Sequence, residues 1–166
     1  MDLFNYQPRR SHEVHIGNKP LGGQQPLRLQ SMTTTLTTDT EASVAQCIAI
    51  IEAGADYVRL TTQGVREAEN LRPIREALHR RGFDTPLVAD VHFNPKVADV
   101  AAGIVEKVRI NPGNYVDPAR TFKELEYTDE EYAAELARLE DRFVQFLEIC
   151  RAHGTAVRIG VNHGSL

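Results

Sequence analysis

Few features of this sequence point to a membrane, to secretion or to a disulfide-stabilised fold. Its 166 residues include two cysteines and no tryptophan, and no apolar run approaches the roughly 20 residues that cross a bilayer. The N-terminus lacks the apolar segment of a signal peptide. Cys47 and Cys150 form no CxxC motif and predict no disulfide framework. We therefore expect a cytoplasmic protein with reduced thiols and no membrane partner.

A strong charge of either sign is also missing. The net charge is −4 and the pI is about 5.9, which gives no general attraction to nucleic acid. The sequence contains no Walker loop, no GxGxxG and no GxSxG, so the motif-defined nucleotide-binding and hydrolase classes are not indicated. An anion site in this protein must therefore be a local cluster of basic side chains.

Strand and helix patterns alternate along the chain, which is typical of a parallel α/β fold. Residues 13–32 predict a β-hairpin that leads into a strand, and four further strands are predicted in DYVRLTT, TPLVADVHF, EKVRINPGN and AVRIGVNHGSL. Five strands are too few for a complete (β/α)₈ barrel, which takes about 250 residues. The chain is predicted to be either a small open α/β domain or an incomplete TIM-type barrel.

Capping signals predict where two of the helices begin. Thr38 and Glu41 fit a capping box for the first helix, and Thr128 and Glu131 fit one for a long helix near the C-terminus. Residues 117–153 are longer than a crossover between parallel strands needs, so we expect a helical insertion in this connection. The apolar face predicted for its second helix comprises Tyr132, Leu136, Leu139, Phe143, Phe146 and Cys150.

Side chains alternate between the two faces of a strand, and here the two faces differ in chemistry. One set is aliphatic and is expected to pack under the helices: Leu27, Leu29, Val58, Leu60, Leu87, Ala89, Val91, Val108, Ile110, Val157, Ile159 and Val161. The other set is polar: Arg28, Gln30, Arg59, Thr61, Asp90, His92, Arg109, Asn111, Arg158 and Asn162. An ordinary parallel sheet is apolar on both faces. We therefore interpret the polar set as the interior of a curled sheet.

Three of these polar residues, Arg59, Arg109 and Arg158, follow a valine in the pattern V-R-I/L. Buried guanidinium groups that face one another need a compensating anion. Each arginine could pair with a neighbouring carboxylate such as Asp90 or Asp56. Alternatively all three bind one phosphate or diphosphate, whose oxygens suit the guanidinium fork.

Two turns at strand ends add candidate ligand-binding groups. RINPGN presents Asn111 and Asn114, and GVNHGS presents Asn162 and Ser165, together with backbone N–H groups that suit phosphate or hydroxyl oxygens. His92 follows Asp90 on the same strand face and is a candidate proton donor or oriented hydrogen-bond group.

The segments QSMTTTLTTD, GADYVRLT, PLVADVHF, VRINPGN and RIGVNHGSL, in this order, resemble the GcpE family of 4-hydroxy-3-methylbut-2-enyl diphosphate synthases. The resemblance runs from about Val14 to the end of the chain. The long connection at 117–153 resembles the large form of the family.

The resemblance implies a TIM-type barrel that binds 2-C-methyl-D-erythritol 2,4-cyclodiphosphate and is followed by an iron–sulfur domain. A [4Fe–4S] cluster there would take electrons from ferredoxin or flavodoxin and open the ring reductively in non-mevalonate isoprenoid biosynthesis. Residues implied to bind substrate are Gln30, Arg59, Arg109, Asn111, Asn114, Arg158, Asn162 and Ser165, and those implied to be catalytic are Asp90 and His92. Residues 1–166 would then be the N-terminal part of the barrel. Its remaining strands, the cluster domain and the cluster ligands would be absent, and this part alone would be inactive.

Two alternatives stay open. A pterin-binding barrel related to dihydropteroate synthase shares early strands of this type and a phosphate site. A non-catalytic phosphate-binding module is the other, in which the exposed edges of the first and last strands pair between two copies to give a homodimer.

Overall fold

The computed structural model describes residues 5, 9–92, 94–111 and 128–161. Strands and helices alternate through these residues. The strands are β1 (Gln30–Met32), β2 (Tyr57–Thr62), β3 (Leu87–Val91), β4 (Lys107–Ile110) and β5 (Ala156–Ile159). The helices are α1 (Thr40–Glu52), α2 (Val65–Arg80), α3 (Pro95–Ala102) and α4 (Asp129–His153).

All the strands belong to one parallel sheet, in the order β1-β2-β3-β4-β5. Sequential order arises when each βαβ crossover turns in the same direction and places the next strand beside the last. It is the order of a (β/α)₈ barrel, whereas a doubly wound sheet reverses direction near its middle. The fold is therefore an incomplete α/β barrel, as the sequence predicted.

The helices cover one face of the sheet and form the main core with it. The strand side chains in this core are Val58, Leu60, Leu87, Ala89, Val91, Val108 and Ile110, all buried. These belong to the aliphatic set, so the alternation correctly predicted the face that packs against the helices. We call the opposite, largely polar face the inner face. It carries Gln30, Tyr57, Arg59, Thr61, Val88, Asp90, His92, Lys107, Arg109, Asn111, Ala156, Arg158 and Gly160.

The aliphatic prediction was wrong at the edges of the described sheet. Leu27 and Leu29 are 96% and 63% exposed, and Ile159 and Val161 are 57% and 46% exposed. Within the described residues, β1 and β5 each have a strand neighbour on one side only. A side chain there can have the correct parity and still lack a helix to cover it.

A short hairpin closes the inner face at the end where the strands begin. Val14 and Leu21 form an antiparallel bridge with N–H···O distances of 2.8 and 2.9 Å, so the predicted hairpin is confirmed. Ile16, which is 1% exposed, packs with inner-face residues Tyr57, Val88 and Ala156 in a second apolar cluster. The N-terminal end of the sheet is thus apolar and filled, and the polar side chains lie beyond it towards the C-terminal ends.

The structure confirms one capping prediction and corrects the other. Thr128 and Glu131 form a reciprocal capping box at the start of α4. At α1 the N-cap is Asp39, whose carboxylate accepts the N–H of Ala42 at 3.1 Å, in place of the predicted Thr38. A carboxylate and a hydroxyl are similarly good caps, so adjacent candidates cannot be separated by residue type.

Helix α4 has 25 residues, a length of about 37 Å at the usual rise. Its C-terminal half packs on the core through Phe146 and Cys150, and an ion pair joins Arg142 to Asp99 of α3 at 2.5 Å. In its first half, Tyr132 and Leu136 are 57% and 47% exposed. The apolar face predicted for the whole helix is therefore buried only in part. Residues 117–127 of the predicted insertion lie outside the described residues.

Candidate anion-binding site

Asp90 is the buried centre of the inner face. It lies on β3 and is 1% exposed. Arg59 of β2 donates a hydrogen bond to its Oδ2, and Arg109 of β4 donates to its Oδ1 at 3.3 Å. The register explains the convergence. Asp90 is the parallel partner of Arg109 and lies two residues beyond the register position of Arg59. One carboxylate is thus shared by two guanidinium groups from its two neighbouring strands.

The two arginines are not satisfied by Asp90 alone. Within the described residues, the buried Nε of Arg59 has no hydrogen-bond partner. Arg109 also donates to the carbonyl oxygen of Gly160 at 3.1 Å. This second acceptor is neutral, so among the described residues the carboxylate of Asp90 is the charged partner of Arg109. Two positive charges facing one negative charge leave a net positive site.

Arg158 extends the site on β5. It is the register partner of Arg109, and its side chain is exposed with no ion pair among the described residues. The carboxylate reading is therefore confirmed for Arg59 and Arg109, which pair with Asp90, but not for Arg158; the shared phosphate stays a prediction. Arg28, which the parity placed in the same polar set, pairs with Asp56 at 3.4 Å and donates to the carbonyl of Pro20.

Gly160 gives Arg109 the room that its position requires. A Cβ at this residue would lie 2.3 Å from Nε of Arg109 and 3.0 Å from Cζ, far inside contact distance. The backbone of β5 therefore approaches the guanidinium plane closely. This glycine matters for space and not for an unusual φ, because its φ is not in the left-handed region.

Lys107, which the sequence interpretation overlooked, is a fourth cation on the inner face. It begins β4, is 7% exposed, and places Nζ 5.6 Å from the ring centroid of Tyr57. Burial lowers the pKa of its ammonium group, and the charges of Arg158 and Arg59 lower it further. The missed signal was its parity, since Lys107 lies two residues before Arg109 on the same strand face.

His92 and the predicted amide groups surround this centre unevenly. Nε2 of His92 lies 3.7 Å from Oδ2 of Asp90, and its side chain is 30% exposed. Asn111 follows β4 and is 2% exposed, whereas Gln30 on β1 is exposed. The structure brings His92 and Asn111 to the C-terminal ends of β3 and β4. Asn114, Asn162 and Ser165 lie outside the described residues.

The described residues do not suit a metal centre. They contain no group of three or more His, Cys, Asp or Glu side chains that could hold a metal ion. Cys47 and Cys150 are buried in the helix layer, where desolvation raises the pKa of their thiols to about 12 and about 11. A thiolate ligand needs the opposite shift. In these residues, no helix is both long and apolar enough to cross a membrane.

The sequence of this chain is similar to those of known proteins over its whole length. Residues 11–166 match the family model described as the GcpE TIM-barrel domain. Over 166 residues, the chain is 69% identical to 4-hydroxy-3-methylbut-2-en-1-yl diphosphate synthase (flavodoxin) of Phocaeicola vulgatus and 70% identical to that of Bacteroides fragilis. The match covers 100% of this chain but 27% and 26% of the relatives. The chain thus spans about a quarter of their length.

A solved dihydropteroate synthase of Xanthomonas albilineans aligns with 86% of this chain and 60% of its own, at 20% identity and a TM-score of 0.47. A score below 0.5 is too low to support a shared ligand.

Proposed function

Because the chain belongs to the GcpE TIM-barrel domain family, we propose that its inner face binds the diphosphate of 2-C-methyl-D-erythritol 2,4-cyclodiphosphate. It would do so as part of an enzyme that reductively opens this ring to 4-hydroxy-3-methylbut-2-enyl diphosphate in non-mevalonate isoprenoid biosynthesis. That activity is the one named for relatives of which this chain spans about a quarter. Residues 1–166 are then the N-terminal part of the substrate-binding barrel.

The excess of positive charge around one buried carboxylate is the observation that carries this proposal. Arg59, Arg109, Arg158 and Lys107 share the inner face, and Asp90 is the only carboxylate among its described strand residues. A diphosphate would neutralise this excess and accept bidentate hydrogen bonds from guanidinium groups. In the described residues, the apolar cluster around Ile16 fills the N-terminal end of the inner face, whereas Asp90 and the arginines lie towards the C-terminal ends of the strands, where barrel enzymes bind their substrates.

Asp90 and His92 have distinct roles in this proposal. Asp90 holds Arg59 and Arg109 in fixed orientations, so that a ligand meets a preorganised pair and does not have to order two long side chains. His92, partly exposed beside Asp90, donates a hydrogen bond or a proton to the ligand. We propose that Gln30, Asn111, Asn114, Asn162 and Ser165 complete the substrate site.

The electron-transfer part of the reaction is not assigned to the described residues. In the whole enzyme, a [4Fe–4S] cluster would pass the two electrons from a donor protein to the substrate. Both cysteines of this chain are unsuitable as its ligands because they are buried and hard to ionise. Flavodoxin, which is named with the relatives, or ferredoxin would be the electron donor. A cytoplasmic location and a homodimer also stay predictions.

Calorimetric titration of this chain with the cyclodiphosphate tests the proposal. Arg158→Met removes an exposed cation with no partner among the described residues, so the fold should keep its melting temperature. A lost charge-assisted hydrogen bond should weaken binding roughly tenfold or more. Arg151→Met is the matched control, because Arg151 is exposed on α4 and away from the inner face.

Three results would contradict the proposal. Equal affinities for the wild type and R158M would show that Arg158 does not bind the ligand and would contradict a site shared by the inner-face arginines. Tighter binding of a pterin diphosphate than of the cyclodiphosphate would favour the barrel related to dihydropteroate synthase. Binding of any diphosphate with the same affinity would favour the simple phosphate-binding module.

A further inference from the structure

Lys107 is a buried cation with no counterion among the described residues. It is 7% exposed, yet within these residues it forms neither a hydrogen bond nor an ion pair with a carboxylate. Its register partners are apolar: Val88 on β3 and Ala156 on β5. Burying an ammonium group in such surroundings is unfavourable unless an anion or an aromatic face compensates.

The surroundings compensate the ammonium only in part. The Tyr57 ring, 5.6 Å from Nζ, provides a weak cation–π contact. Among the described residues, the charged groups that act on Lys107 are Arg158 from β5 and Arg59 from β2, and both are cations. Ile16 and Leu21 of the hairpin line the same cleft of about 410 Å³ as Lys107 and Arg158. The groups that β2, β3, β5 and the hairpin place around Lys107 are thus aromatic, apolar or positively charged.

We propose that Lys107 is a further anion-binding residue. It contacts the diphosphate from the N-terminal end of the inner face, which the apolar cluster around Ile16 fills, while the arginines contact it from the sides. The inference rests on the proposed function and adds to it a residue that the strand-end motifs do not include. Lys107 lies two residues before Arg109, about 7 Å deeper along the strand. Its four-carbon stem can span that distance, and its compact charge suits a single phosphate oxygen.

Inorganic pyrophosphate is the probe, titrated into this chain at fixed ionic strength and pH 7.5. We expect Lys107→Met to weaken binding about tenfold, because one buried charge contact is lost. Lys107→Arg, which keeps the charge, should recover most of the affinity. Lys96→Met is the matched control: it changes the net charge equally, but Lys96 is exposed at the start of α3. K96M should bind like the wild type.

A pH series separates a charge contact from a packing role. Between pH 7.5 and 10.5 the wild type should lose affinity relative to K107R, because burial and the neighbouring cations lower the pKa of the lysine from its ordinary value of 10.5, whereas arginine keeps its proton. Tyr57, Asp90 and His92 are present in both proteins, so their ionisation and that of pyrophosphate cancel in the ratio. This comparison also stands if K107M does not fold.

The outcomes distinguish this inference from the proposed function. If R158M weakens pyrophosphate binding while K107M binds like K96M, the role of Lys107 is wrong and the arginine site stands. A constant ratio between wild type and K107R across the pH series would contradict it in the same way. If the wild type binds neither pyrophosphate nor the cyclodiphosphate, both proposals fail.

Discussion

Replacement of Asp90 with asparagine should affect stability and anion binding in opposite directions. Asp90 is 1% exposed and is the shared acceptor of Arg59 and Arg109, whose side chains are 24% and 8% exposed. Asparagine keeps the shape, but it has one acceptor oxygen and an NH₂ group that would face a guanidinium donor. Two partly buried positive charges would then face each other without a counterion.

The magnitude follows from the cost of breaking a buried ion pair by removing one partner. We expect the D90N variant to lose about 3 kcal/mol of unfolding free energy, measured by urea denaturation at pH 7.5. The same carboxylate repels a bound anion. At an effective dielectric constant near 20, a phosphate charge about 6 Å away is repelled by roughly 3 kcal/mol. Removing Asp90 should therefore tighten pyrophosphate binding and increase the stabilisation that pyrophosphate provides.

Asp99→Asn is the matched control, because Asp99 also pairs with an arginine but lies on α3, away from the inner face. Its variant should lose less stability, since the pair is about a quarter exposed, and should bind pyrophosphate like the wild type. If D90N unfolded at the same urea concentration as the wild type, the shared carboxylate would not hold the site together. If it bound pyrophosphate more weakly, the orienting effect of Asp90 would outweigh its repulsion, and our sign would be wrong.

Three further results follow from the structure. Gly160→Ala would place a Cβ 2.3 Å from Nε of Arg109, so the guanidinium group would have to move away from Asp90. We expect a loss of about 1–3 kcal/mol in urea denaturation, and unchanged stability would contradict a fixed Asp90–Arg109 pair. The pKa of Asp56 is lowered mainly by the hydrogen bond from the N–H of Leu29. The ionised carboxylate therefore stabilises the folded protein above the unfolded pKa of 3.8, and this contribution is lost as the pH falls through the lower folded pKa. Asp56→Asn should reduce the melting temperature at pH 7, but the melting temperature of this variant should fall less steeply below pH 4 than that of the wild type. An equally steep fall in the variant and the wild type would refute this. With thiol pKa values raised to about 12 and about 11, Cys47 and Cys150 should react with a disulfide reagent at pH 8 only on unfolding, and rapid labelling of the native protein would contradict their burial.

The alternation of side chains along each strand made one part of the candidate site predictable from the sequence, namely which residues share a face of the sheet. The period of two is a local property of an extended chain, so it correctly placed Arg59, Asp90, Arg109 and Arg158 on one face. The βα order likewise predicted the parallel sheet. Lys107 shares that parity but was overlooked, because it begins its strand and lies outside the V-R-I/L pattern that marks the arginines.

Partners and burial could not be predicted in the same way. Whether Asp90 binds one arginine, two or none depends on the register of three strands that are distant in sequence. Leu27 and Leu29 have the aliphatic parity, yet they are exposed because burial requires a covering helix as well as the correct face.

The sequence by itself determined the alternation of strands and helices, the face on which each strand side chain lies and the capping box at Thr128, because these depend on neighbours a few residues apart. Only the tertiary structure decided that two arginines share Asp90, that Gly160 makes room for Arg109 and that Lys107 is buried without a counterion among the described residues. These features arise where strands far apart in sequence meet, and the energy of a charge there depends on every group that surrounds it.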